Sequence, residues 1–270
     1  MLKQRYFISV FCYAEGMSID ETVLKFEKKL LDALNYKYRN EQMFIKEKML
    51  SVHFVTTFNI EKMLDLYRKS KYPQDRLEKY VYMLMDIKLQ MYLIETDLGA
   101  DNTLMQIITP EKENDGKKAQ IELIHLSFNQ SLIFKSRALW ERVMNLVYYL
   151  EKGKEINAKS KKTKFFSFIN NEEDESAIKW KFLSDYEDYV KWFDDAWRTP
   201  EAHGGSTLRA SFSGTEMSND DVNKILGLND IVANVFYVNL ADIINGDKPS
   251  RWFWTYGMGQ DKLSSVSADT

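Results

Sequence analysis

One short stretch carries the two side chains best suited to chemistry on a phosphate. Arg198 and His203 lie five positions apart in the segment Trp197-Arg-Thr-Pro-Glu-Ala-His-Gly-Gly-Ser. A guanidinium binds two phosphate oxygens with its planar fork, and an imidazole transfers a proton near neutral pH. Five positions of a regular helix correspond to about 500° of rotation, so the two side chains would not share a helix face. Because Pro200 disfavours helical backbone at Thr199, we expect a helix to end at Arg198 and a sharp turn to bring the imidazole back towards the guanidinium.

A structural interpretation of the same residues is also open. In that case Arg198 pairs with Asp194 or Asp195, and His203 only caps a turn. The consecutive acidic residues at 194–195 and 172–175 have the oxygen ligands that Mg²⁺ prefers. Runs of this kind are more often solvated surface charge, so they predict no metal site.

The composition is that of a globular protein. Of 270 residues, 44% are hydrophobic and 14% aromatic, which excludes a wholly disordered chain. Gly (11) and Pro (4) are too scarce for the many turns of an all-β sandwich or barrel. The single Cys12 excludes a disulfide framework, and neither His53 nor His125 has a partner at metal-ligand spacing. A net charge of −3 argues against a protein that coats duplex DNA. With no apolar run of roughly 18 residues, the sequence predicts no membrane span, and a single cysteine favours a protein of the reducing cytoplasm.

Apolar periodicity predicts a mainly α protein built as a multi-helix bundle. The predicted helices cover residues 19–39, 60–69, 74–99, 119–152, 177–197 and 220–244. Ser18 and Glu21 form a capping box before the first of them, and Gly99 and Gly246 are expected to end the third and the last. Helix 119–152 has two apolar stripes, so we expect it at the centre of the bundle. The polar stretches 109–118, 153–176 and 199–218 are predicted loops. The division that follows is an N-terminal, mostly helical region (1–113), a helical bundle (114–250) and an aromatic, then polar tail (251–270).

An Arg-x4-His motif at the end of one bundle helix, after a long central helix, resembles the HEPN superfamily. Two stretches carry the resemblance: Lys135-Ser-Arg-Ala-Leu-Trp-Glu-Arg142 on the long helix, and Arg198-Thr-Pro-Glu-Ala-His203 with the trailing Ser206-Thr-Leu-Arg209. Both are similar to the large bacterial HEPN proteins related to abortive-infection systems. The resemblance covers about residues 117–244 and implies a HEPN-type bundle with an additional helical region before it.

Active HEPN proteins are metal-independent endoribonucleases whose paired subunits bring Arg and His together in a cleft. The resemblance implies that the ribose 2′-hydroxyl of an RNA attacks the adjacent phosphorus. His203 is then the general base or acid, and Arg198 stabilises the phosphoryl oxygens. The resemblance also implies a homodimer, no cofactor, and a role in bacterial antiviral defence or a toxin–antitoxin system, with a cognate antitoxin or regulator as a further partner.

Basic side chains around the motif complete the predicted site. Arg137 and Arg142 on the long helix either form surface ion pairs, such as Arg137 with Glu141, or point into the cleft. Lys residues at 159–164, followed by three Phe residues, are typical of single-strand binders, or they belong to a solvated loop whose Phe side chains pack back. The predicted catalytic residues are therefore Arg198, His203 and Thr199, and the predicted substrate-binding residues are Arg137, Arg142, Ser206, Arg209, Lys162 and Lys164.

Thr199 departs from the HEPN pattern. Active members carry Asn, Asp or His directly after the Arg, and a Thr hydroxyl does not replace a carboxylate or an amide. This departure favours an alternative, a non-catalytic HEPN-type module that binds RNA, a nucleotide or a protein. A helical structural protein in which the motif is accidental is a third hypothesis.

Overall fold

In the computed structural model, the chain is mostly helical in the part that the structure describes, which comprises residues 17–40, 58–107, 115–157, 160–202, 217–230, 232 and 236–249. These residues contain no strand, which confirms the mainly α multi-helix bundle. The α-helices in chain order are α1 (Ile19–Asn40), α2 (Ile60–Lys69), α3 (Leu77–Ile107), α4 (Asp115–Lys152), α5 (Lys161–Ile169), α6 (Glu175–Ile178), α7 (Glu187–Phe193), α8 (Thr199–Ala202), α9 (Asn219–Asp230) and α10 (Tyr237–Asn245). Two 3₁₀ segments (Gln74–Arg76 and Lys181–Tyr186) and one π-helical turn (Asp194–Arg198) lie between them.

Helices α3 and α4 form the axis of the bundle. Gln90 Nε2 donates to the Lys135 carbonyl (3.1 Å), and farther along α3 the Asp97 carboxylate accepts from Ser131 Oγ (2.5 Å), four residues earlier on α4. Residue numbers rise along one helix as they fall along the other, so the pair is antiparallel. Residues 143–150 are all buried, so the second half of α4 is enclosed as its two apolar stripes predicted. Between 116 and 130 no described side chain is buried, so the first half of α4 is covered on one side only.

Polar contacts tie α1, α2 and α3 together at one end of the bundle. Glu27 of α1 accepts the Ile60 N–H at the start of α2 (3.0 Å) and pairs with the buried Lys88 of α3. The predicted capping box of α1 is confirmed, because the Glu21 N–H donates to Ser18 Oγ (3.3 Å) and the Ser18 N–H donates to Glu21 Oε2 (2.9 Å). This end also receives α10, which packs on α2.

Two predicted helix boundaries are wrong. Helix α3 continues past Gly99 to Ile107, and α4 already begins at Asp115. A glycine inside a helix costs only about 1 kcal/mol relative to alanine, which the packing of the long α3–α4 pair outweighs. The proposed boundaries near residues 113 and 250 fall at 108–114 and 250–270, outside the described residues, so the division into regions stays a prediction.

The stretch 153–176, predicted as a polar loop, contains helix α5. Ser160 caps the helix by accepting the Thr163 N–H (3.3 Å), and its Phe residues at 165, 166 and 168 are buried. Phe168 packs edge-on against Tyr148 of α4, with ring centroids 5.4 Å apart. Burial of these rings outweighs the high charge of the segment, which is the signal that favoured a loop.

The predicted helix 177–197 is broken into α6, a 3₁₀ segment, α7 and a π-helical turn. Its buried residues Ala177, Trp180, Leu183 and Tyr186 recur every three positions, which is the period of a 3₁₀ helix. The predicted helix 220–244 contains α9 and α10, with π-helical backbone at 232 and 236. It ends at Gly246 (φ +86°), as predicted, in the left-handed conformation that favours glycine. No helix among the described residues is both long enough and apolar enough to cross a bilayer.

Candidate functional site

Arg198 is the last residue of the π-helical turn that follows α7. The turn is closed by the Thr199 N–H, which donates to the Asp194 carbonyl five residues earlier. The Arg198 side chain is partly buried and makes no ion pair with any residue that the structure describes. The structural alternative, in which Arg198 pairs with Asp194 or Asp195, is therefore not observed.

Asp194 is instead held by two other cations. Its Oδ1 lies 2.8 Å from Arg137 Nε of α4, and its Oδ2 lies 2.9 Å from Lys162 Nζ of α5. The Asp194 side chain is 7% exposed and the Arg137 side chain 9%. The Arg137–Asp194 contact is an ion pair without good hydrogen-bond angles, because Arg137 Nε and Asp194 Oδ1 make no hydrogen bond within the described part of the chain.

A second carboxylate extends this cluster. Glu141 lies 3.5 Å from Arg137 Nη2, as the four-residue spacing on α4 predicted, and 3.5 Å from Lys161 Nζ. Three cations from α4 and α5 thus share the two carboxylates of Glu141 and Asp194. We call these five residues, Arg137, Glu141, Lys161, Lys162 and Asp194, the charge cluster. Arg137 is buried and paired with Glu141 and Asp194, so its side chain offers little free surface to a ligand.

The predicted helix break at Thr199–Pro200 is wrong. Thr199 has helical backbone angles (φ −69°, ψ −47°), and α8 runs on to Ala202. A proline ring in a helix normally clashes with the carbonyl four residues earlier, and it is tolerated in a first turn. Pro200 lies in the first turn of α8, directly after the π-helical turn that closes five residues back, so the helical path continues through it.

The long helix α4 anchors the end of this segment. Gln130 Nε2 donates to Glu201 Oε1 over 2.6 Å, which ties α8 to α4. Thr199 itself is exposed. His203, Ser206 and Arg209, which complete the predicted site, lie outside the described residues.

The remaining predicted substrate-binding residues have different surroundings. Lys164 is exposed in the first turn of α5 and makes no ion pair with a described residue. Lys162 is committed to Asp194. Arg142 is partly buried and faces Asp86 of α3, whose carboxyl it stabilises in the charged form. Burial nevertheless raises the pKa of Asp86 to about 6, and the Arg142 charge lowers it only in part.

The aromatic half of the predicted single-strand binding segment is not exposed. Phe165, Phe166 and Phe168 are 0%, 2% and 7% exposed, so these rings belong to the core and do not offer a stacking face to a base. The lysines of this segment lie at the surface or in ion pairs: Lys161 pairs with Glu141, Lys162 pairs with Asp194, and Lys164 is exposed.

Sequence reasoning missed the role of Asp194. The signal was present, because Asp194 lies four residues after the buried Val190 and three before the partly buried Trp197, which puts it on the inner face of the helix. An acidic side chain on an inner face requires a cation partner. Asp195, one position on, is exposed. Within the described ranges no three His, Cys, Asp or Glu side chains are grouped so that they could hold a metal ion.

Compared with models of protein families, with curated proteins and with solved structures, the chain matches none of them.

Proposed function

We propose that this protein is a HEPN-like, metal-independent endoribonuclease that acts as a homodimer in bacterial defence or in a toxin–antitoxin system. The observation that supports the proposal most is the state of Arg198. It is a partly exposed guanidinium without a carboxylate partner among the described residues, and Asp194, one of its two candidate partners, is paired with Arg137 and Lys162 instead. A guanidinium in this state retains its fork of N–H donors for a phosphate.

The chemistry needs two groups, and the motif supplies both. One imidazole, that of His203, accepts the proton of the ribose 2′-hydroxyl as O2′ bonds to phosphorus. The bond from phosphorus to O5′ then breaks, and O5′ receives a proton from an imidazolium, that of the second subunit in a dimer. The products are a 2′,3′-cyclic phosphate and a 5′-hydroxyl, and Arg198 stabilises the negative charge that grows on the phosphoryl oxygens.

The contacts around the motif fit such a role. The Gln130–Glu201 hydrogen bond ties α8, the helix that directly precedes His203 in the chain, to α4. Lys164, exposed and unpaired among the described residues, is the best of the predicted basic residues for a neighbouring phosphate. Under this proposal the cell compartment is the cytoplasm, and RNA and a cognate antitoxin or regulator are the partners.

The test is RNA cleavage by purified protein in EDTA, with Arg198→Ala and His203→Ala beside the wild type. We expect each substitution to lower the cleavage rate by about 10²–10³-fold, which is the range for one group that stabilises charge or transfers a proton. Arg68→Ala is the matched control. Arg68 of α2 forms a surface ion pair with Asp20 of α1, and both residues are far from the motif in the chain. An RNA with 2′-deoxy sugars at the cleaved linkage should stay intact, and the products should carry 2′,3′-cyclic phosphate ends.

Equal cleavage by the wild type and both variants would overturn the proposal. Light scattering that shows a monomer at the assay concentration would remove its paired-subunit form. The exposed Thr199 favours one specific alternative, a non-catalytic module, because this position lacks the amide or carboxylate of active members. In that case the wild type binds labelled RNA and leaves it uncut, Arg198→Ala weakens binding, and RNA mixed with His203→Ala stays uncut as it does with the wild type.

A further inference from the structure

The π-helical turn determines the direction in which Arg198 leaves the protein. A π-helical turn contains one residue more per turn than an α-helix, so its relaxation to α geometry would rotate every later residue by about 100°. Arg198 is the last residue of this turn. Its position is therefore sensitive to whatever keeps residues 194–198 in the π form.

Asp194 holds this turn at its first residue, in two ways. Its carbonyl accepts the Thr199 N–H that closes the turn. Each oxygen of its carboxylate pairs with one cation: Oδ1 lies 2.8 Å from Arg137 Nε of α4, and Oδ2 lies 2.9 Å from Lys162 Nζ of α5. Two helices that flank the turn thus act on the one residue from which it starts.

The charge cluster is a poor source of stability, which suggests another purpose. Taking charges out of water offsets much of their mutual attraction, so a buried ion pair often contributes little more than apolar residues of the same volume. Its charges, in contrast, come from α4, α5 and the π-helical turn, so a shift of any one of these elements separates a charge from its partner. A cluster of this kind selects one arrangement of the elements that carry it.

We propose that Asp194 is a positioning residue for Arg198: the ion pairs of Asp194 with Arg137 and Lys162 hold the π-helical turn so that the Arg198 guanidinium meets the substrate phosphate. This inference rests on the proposed function for the identity of the substrate. Arg137 and Lys162, which the sequence placed among the substrate-binding residues, then act on the substrate through Asp194. Neither of them is a catalytic residue in this arrangement.

The experiment compares Asp194→Asn with Asp195→Asn. Both substitutions remove one negative charge at neighbouring positions, but Asp195 is exposed and has no ion pair in the described part of the chain. We expect Asp194→Asn to lower the kcat of RNA cleavage by about 100-fold at nearly unchanged KM. Hydrogen exchange at the Thr199 amide, measured without RNA, should accelerate by at least about tenfold, because the closing bond of the turn opens more often. Asp195→Asn should leave both quantities unchanged.

Lys162→Gln carries the test if Asp194→Asn does not fold, because the Lys162 side chain is 18% exposed and its loss leaves Arg137 on Asp194. It should lower kcat by about tenfold at unchanged KM, whereas a direct substrate contact would raise KM. Normal Thr199 exchange in both variants would overturn the holding role. Accelerated exchange with kcat within threefold of the wild type would overturn the positioning role. If the wild type leaves RNA uncut, only the proposed function is overturned. The exchange measurement still decides whether the ion pairs of Asp194 hold the π-helical turn.

Discussion

Replacing Asp86 by asparagine should stabilise this protein, and more so as the pH rises. Asp86 lies on α3, and burial raises the pKa of its carboxyl to about 6 from an ordinary value of 3.8, even though the Arg142 charge lowers it. The folded protein therefore binds this proton more tightly than the unfolded chain does. The free energy of unfolding that depends on this carboxyl is therefore highest below about pH 4, where the group is protonated in both states. It falls as the pH rises from about 4 to about 6, where the unfolded chain has released the proton and the folded protein still holds it.

The size of the effect follows from the shift. A difference of about 2 pKa units at about 1.4 kcal/mol each makes ionised Asp86 unfavourable by about 3 kcal/mol above pH 7. Asparagine has nearly the same shape and no charge to desolvate. Asp86→Asn should therefore raise the free energy of unfolding by up to about 3 kcal/mol at pH 7.5 and leave it nearly unchanged at pH 4.

Urea unfolding of both proteins, followed by circular dichroism from pH 4 to pH 8, measures this difference. Glu78→Gln is the control, because Glu78 is an exposed carboxyl on the same helix and its neutralisation should change stability by less than about 0.5 kcal/mol. An Asp86→Asn protein that is less stable than the wild type at pH 7.5, or that gains equally at pH 4 and pH 7.5, would refute the reasoning.

Two further substitutions test the packing around the bundle by urea unfolding. Glu27→Gln leaves the buried Lys88 without its counter-charge and should lower the free energy of unfolding by about 3–5 kcal/mol; a loss below about 1 kcal/mol would contradict the buried pair. Gly153→Ala should lower it by about 1–2 kcal/mol through its left-handed backbone (φ +69°). Its methyl group would also meet the Arg76 guanidinium at 2.6 Å and push it away from the Leu150 carbonyl, to which it donates over 3.2 Å. Gly153→Ala should therefore cost more than Gly246→Ala, which has a similar φ of +86° and open space around it. Equal losses for the two glycines would contradict a stabilising Arg76–Leu150 hydrogen bond.

The helices that carry a long, regular apolar pattern were predicted closely. Helix α2 has the predicted bounds, 60–69, and α1 and α4 differ from prediction by one residue at the C-terminus and four at the N-terminus, respectively. Residues close in the chain are enough to fix these helix ends. Ser18 and Glu21 cap the first turn of α1, and Gly246 ends α10 through its own left-handed backbone.

Segments in which side chains pack against distant helices were predicted poorly. The charge of three lysines favoured a loop at 161–169. The segment is a helix because its Phe side chains are buried, Phe168 against Tyr148 of α4. Pro200 predicted a break that the π-helical turn before it removes. Neither outcome is encoded within a few residues of the position concerned.

The sequence by itself determined that this chain is a mainly α bundle around a long central helix, because helix formation and one-sided burial follow from residue spacing within each segment. It also predicts that Arg198 belongs to a phosphate-binding motif, which stays a prediction. Only the tertiary structure decided which cation Asp194 pairs with. The choice among Arg137, Lys162 and Arg198 depends on how α4, α5 and the π-helical turn come together, and a Coulomb attraction acts on distance in space rather than on separation along the chain.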